Sequence, residues 1–128
     1  MTLAAAAATA VLATGLAGGA AAPVKVTLAA PGHTPKVGVR WHYTVRATAG
    51  GKPVAGRITV QIVDPVGGRH AVEFGRSTKK IVRWPFRGVF RDYVIWPASS
   101  RGVPLTFHVL VTVGKARRVV DYRVTPHG

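Results

Sequence analysis

An all-β chain, folded as a single antiparallel sandwich of about seven strands behind an N-terminal hydrophobic signal segment, is what three features of the sequence predict. From residue 22 onward, apolar and polar residues alternate with a period of two through most of the chain. Turn-forming Gly, Pro and Asp recur at roughly the spacing of short strands. No stretch after the opening segment has the periodicity of an amphipathic helix.

The first element is the opening segment. Met1 to Val24 carry no charged side chain, and all 18 Lys and Arg follow. The run ends in Gly18-Gly19-Ala20-Ala21-Ala22-Pro23, the small-residue setting of a secretory cleavage site. Proline just after the scissile bond blocks the peptidase, so the cut is expected after Ala21, with Gly19 and Ala21 in the small-residue positions. Residues 1–21 are then a signal peptide and residues 22–128 one mature domain. Such a signal normally begins with Lys or Arg, which this one lacks, so a start further upstream fits too. An uncleaved anchor is the rival reading, because the run is long enough to span a bilayer although its Ala and Gly make it weakly hydrophobic.

The strands follow in order. A weak one is expected at Val24 to Ala29. In Arg40 to Thr48 the residues Trp41, Tyr43, Val45 and Ala47 share one face, and His42, Thr44, Arg46 and Thr48 the other. Arg57 to Val63 repeats the device with Ile58, Val60 and Ile62 inward, and stops at the turn Asp64-Pro65-Val66-Gly67-Gly68. Weaker strands are expected at Ala71 to Phe74 and Phe90 to Trp96, flanking the least regular part, Gly75 to Gly88. Leu105, Phe107, Val109, Val111 and Val113 form the longest apolar stripe, which suits a central strand. Gly114-Lys115-Ala116 then turns the chain into Val120, Tyr122 and Val124, completing a hairpin. Strands with one apolar face must bury it against a second sheet, hence the sandwich. With no cysteine, disulfides and a lipoprotein linkage are excluded and the core alone must hold the fold.

Two segments carry a family resemblance. Gly50-Gly51-Lys52-Pro53-Val54-Ala55-Gly56-Arg57-Ile58-Thr59-Val60 resembles the turn and strand of bacterial immunoglobulin-like domains, in which a Gly-x-Pro-Val-x-Gly connection leads into an alternating strand. Trp96-Pro97-Ala98-Ser99-Ser100-Arg101-Gly102-Val103-Pro104-Leu105, with the stripe after it, is similar to the later strands of such domains in small exported proteins. The chain lacks the paired cysteines of antibody-type domains and the tyrosine that fibronectin-type modules carry ahead of the penultimate strand. The resemblance implies an Ig-like sandwich used for adhesion, presentation or binding, and no active site.

Charge is the strongest functional lead. Eighteen basic residues against Asp64, Glu73, Asp92 and Asp121 give a net charge of +14, all within the mature domain. That field attracts polyanions. Twelve of the bases are Arg, whose planar fork suits phosphate and carboxylate. Between Arg69 and Arg91 they are densest and interleaved with aromatics; Arg76, Lys79, Lys80, Arg83, Trp84, Arg87 and Arg91 form the candidate polyanion-binding set. The competing reading is a solvated surface that happens to use arginine. Nucleic acid is disfavoured as partner, since no sequence pattern of a nucleic-acid module is present.

Other chemistry finds little footing. Trp84-Pro85-Phe86 suggests sugar stacking, but with no Asn and a single Gln the chain is poor in groups that hold hydroxyls, and a plug at one edge of the core is the simpler role. His33, His42, His70, His108 and His127 lack ligand spacing and have no Cys beside them, so no cofactor or metal is expected, with a histidine-based metal carrier as a remote alternative. Ser77, Ser99 and Ser100 lie in no nucleophile motif. Asp92 alternates with Phe90, Val94 and Trp96, which points it inward as an Arg-paired structural acid. The chain is therefore expected to be an exported, non-enzymatic binding or structural module of the cell surface, with a protein or an anionic envelope polymer as partner. An envelope polyanion binder acting through residues 69–91 is the alternative. Membrane contact is expected only through an uncleaved N-terminal segment, and the oligomeric state stays open.

Overall fold

The computed structural model describes residues 22–128, and the signal segment expected at residues 1–21 lies outside the described residues. The strands are β1 (Val24–Ala29), β2 (Arg40–Ala49), β3 (Lys52–Pro53), β4 (Ala55–Val63), β5 (Arg69–Ala71), β6 (Trp84–Arg87), β7 (Val89–Ile95), β8 (Leu105–Val113) and β9 (Ala116–Val124). One short 3₁₀ turn, Ala98–Ser100, joins β7 to β8. All pairings between strands are antiparallel, and among the described residues no helix is long and apolar enough to cross a membrane.

Two sheets result. In the first, β2 is central, with β1 on one side and β7 and the short β3 also paired to it. In the second the order is β9-β8-β4, and β5 and β6 pair with different stretches of β4. The count exceeds the seven expected because two short strands were not anticipated: β3 follows the Gly50-Gly51 turn, and β6 lies inside the segment read as irregular. Pro85 fits in β6 because that strand is an edge, where a missing N–H breaks no ladder. The strand expected at Ala71 to Phe74 is found earlier, at Arg69–Ala71.

The alternating faces of β2, β4 and β8 meet between the sheets. Trp41, Tyr43, Val45 and Ala47 from one sheet pack with Ile58, Val60, Phe107, Val109 and Val111 from the other. Each large side chain removed from water contributes about 1.5–3 kcal/mol. Trp41 anchors one end, edge-on to Trp96 at 5.5 Å and to Phe107 at 5.2 Å, while its indole N–H donates to the Gly32 carbonyl at 3.1 Å.

Two connections shape the surface. The irregular segment closes one side of the sandwich: Ile81 is fully buried, its N–H donates to the Val72 carbonyl, and its own carbonyl accepts from Val60. At Gly88 the chain then leaves the second sheet for the first. Its φ of +73° and a would-be Cβ only 2.7 Å from Pro53 both require glycine there.

Candidate functional site

The outer face of the first sheet is a basic ladder drawn from three strands. The period of two turns Arg40, His42, Thr44, Arg46 and Thr48 of β2 away from the core. Pairing then sets Arg91 of β7 beside Thr44 and Lys25 of β1 beside Thr48. Each level along β2 thus carries one basic side chain: Arg40, His42, Arg91, Arg46, Lys25. All five are exposed. None of the outward side chains of β1, β2 and β7 is acidic.

Tyr93 organises one end of this ladder. It stands opposite His42 on the outward face, yet it is only 7% exposed. The Arg40 guanidinium lies 4.7 Å from its ring centre, a cation–π contact, and the His42 ring is 5.5 Å away. Gly75 packs against the ring so closely that a Cβ would approach within 2.6 Å. The loop at Gly75 is tied down by Asp92, whose two carboxylate oxygens each accept the Gly75 N–H at 3.1 Å. Asp92 does face inward, opposite Tyr43, but its partner is this backbone N–H and not an arginine. An edge-strand carboxylate is within reach of the loop that covers the edge.

Beside Tyr93 lies an open cavity of about 410 Å³ lined by His42, Thr44, Phe74, Arg76, Arg91 and Asp92, among others. Tyr43 contributes to its inner wall. Burial pushes the Tyr43 phenol far above its ordinary range, and the nearby Asp92 carboxylate adds to the push. Asp92 acts on it electrostatically, yet the buried hydroxyl has no partner at hydrogen-bonding distance and angle.

The basic and aromatic set singled out in the sequence is distributed over the fold. Arg76 and Arg91 come together at the cavity. Lys80 is spent on Glu73, at 3.2 Å. Arg83 holds a structural corner: it has a φ of +48°, its N–H donates to Thr59 Oγ1 at 2.9 Å, and its carbonyl accepts from Arg57 at 3.1 Å. Trp84 and Arg87 belong to β6 on the second sheet, where Trp84 packs edge-on to Phe74 and remains 38% exposed. Lys79 is exposed in the loop, and its N–H donates to Ser77 Oγ. Lys25, Arg40, His42 and Arg46 lie outside that set. Their outward positions on strands were legible, but not that they join Arg91.

The second sheet's outer face is organised differently. Arg57, Arg87 and Arg117 lie toward one end and Arg69 and Arg123 toward the other. Between them run two levels without Lys or Arg, namely Thr59-Leu110-Val119 and Gln61-His108-Asp121. His108 Nδ1 meets Asp121 Oδ1 at 2.6 Å. His70 pairs with Asp64 at 2.9 Å, and this bond, with the Gly68 and Val66 N–H groups, holds the Asp64 carboxyl below its usual range. Among the described residues no three His, Asp or Glu side chains gather as a metal site.

No family model matches the chain, and no curated protein matches it. Among solved structures it is similar to a DUF4466 family protein from Parabacteroides merdae, at 14% identity and a TM-score of 0.44, over 83% of this chain. The chain spans 44% of that protein.

Proposed function

We propose that this chain is an exported, non-enzymatic Ig-like domain that works outside the cell as a binding module for anionic polymers. The observation that carries the reading is the ladder on the first sheet, where every outward charge carried by β1, β2 and β7 is positive. In a net charge of +14, such a face concentrates the field instead of merely solubilising the chain. The strand order supports the Ig-like assignment: in that reading β1, β2 and β7 would correspond to strands A, B and E, and β4, β8 and β9 to C, F and G. Export rests on the uncharged opening run and its small-residue end.

Retention of the purified protein on an immobilised anionic polymer and on a neutral one, across a salt series, tests this function. Retention on the anionic polymer that persists near physiological salt is expected. Elution from both at low salt overturns it.

A further inference from the structure

We infer that the ligand of the ladder is an extended phosphodiester polymer without bases, lying lengthwise along β2; this rests on the polyanion reading above and makes it specific. Same-face residues of a strand recur about every 7 Å. The five basic side chains from Arg40 to Lys25 therefore form one track of roughly 27 Å centred on β2, with Arg91 and Lys25 set about 4.8 Å to opposite sides of it. A linear ligand with charges at a similar repeat, lying along β2, can meet Arg40, His42 and Arg46 directly, and Arg91 and Lys25 through their long side chains from the flanking strands.

Phosphodiester chains, in which a short carbon linker separates successive phosphates, have a repeat of this order. Inorganic polyphosphate is far denser in charge. Arginine supplies three of the five groups, and its fork matches two oxygens of a phosphate. Arg76 lines the same cavity as Arg91, the middle member of the track.

The face also says what the polymer lacks. Proteins that hold single-stranded nucleic acid pair a basic groove with exposed aromatic platforms for the bases. Here the one aromatic among the outward residues of β1, β2 and β7 apart from His42 is Tyr93, which is buried beneath Arg40 and against Gly75. No base can stack there. Apart from the exposed His42 ring, the face presents cations and no aromatic platform, which fits a polyol or sugar phosphate backbone.

The test compares three probes matched in number of charges: poly(glycerol phosphate), oligothymidylate and polygalacturonate. Binding of wild type is measured across salt beside two triple variants that each remove the same charge, R40Q/R46Q/R91Q from the ladder and R57Q/R87Q/R117Q from the other face. Poly(glycerol phosphate) should bind at least as tightly as the other two. The ladder variant should lose about tenfold or more and its log–log salt slope should become shallower by about two, as three lost phosphate contacts require. The other-face variant should change less than about threefold. Because Arg40 packs on Tyr93, K25Q/R46Q, with both changes at exposed positions, serves as a second variant should the triple one fold poorly.

Equal losses in both triple variants would overturn the ladder as the site and leave a generic polyanion binder. A preference of tenfold or more for either other probe would overturn the ligand chemistry. Absence of binding to all three probes would remove this inference and the polyanion function together.

Discussion

The two outer faces of the sandwich carry three and five arginines and present them in opposite ways. On the first sheet a Lys or Arg stands at four of five successive levels, and His42, with no acid beside it, at the other. On the second, the bases gather at the ends and are separated by an apolar level, where Val119 is 48% exposed, and by the His108–Asp121 pair. The first arrangement would give a linear anion a continuous track. The second divides its charge in two and spends part of the gap on a local acid. Net charge governs how strongly a protein attracts polyanions from a distance, but spacing governs what can lie down on it.

This comparison can be broken most directly at Gly75. Gly75→Ala drives a methyl into the Tyr93 ring; about 1–3 kcal/mol of stability should be lost through overpacking. Polyanion binding should weaken at the same time, although no charge has changed, because the ring beneath Arg40 is displaced. Denaturant unfolding and the salt-series assay on the same sample read both effects, and intact binding would show that the ladder does not depend on Tyr93.

A smaller effect lies beneath that face. Tyr43→Phe removes a buried hydroxyl without a partner and should leave stability unchanged or raise it by about 1 kcal/mol. A clear loss in thermal unfolding would mean that the hydroxyl bonds Asp92 in solution. On the second face, Asp121→Asn removes the sole outward acid of its strands. The pair is exposed on the Asp121 side, so stability should shift by less than about 1 kcal/mol. Low-salt retention on poly(glycerol phosphate) should rise by less than the ladder variant loses. A gain that restores the ladder variant to wild-type binding would erase the distinction between the faces.

Much of the fold was legible because a strand's side chains alternate. Trp41, Tyr43, Val45 and Ala47 are buried, and so are Ile58 and Val60, as the pattern required. The turn at Gly114 and Lys115 could also be read, since the first turn residue takes positive φ and the register closes Val113 on Ala116. Legibility stopped where no period operates. Ile81, flanked by Lys80 and Val82, had no neighbours to mark it as buried, and only its bonds to Val60 and Val72 place it in the core. Asp92 was legible as inward, but its partner was a backbone N–H seventeen residues away.

The candidate site divides in the same way. By itself the sequence determined the all-β class, the excess of arginine and the side of each strand on which His42, Arg46 and Arg91 stand, because these follow from composition and a period of two. It grouped Arg76 through Arg91 because they are neighbours in the chain. The tertiary structure redistributed them: the crossing at Gly88 sends Arg83 and Arg87 to one sheet and Arg91 to the other. It then set Arg91 beside β2 and Lys25 on β2's far side. Which strands become neighbours, and in what register, is decided by packing between residues far apart in sequence, so the ladder exists only once the sheets have formed.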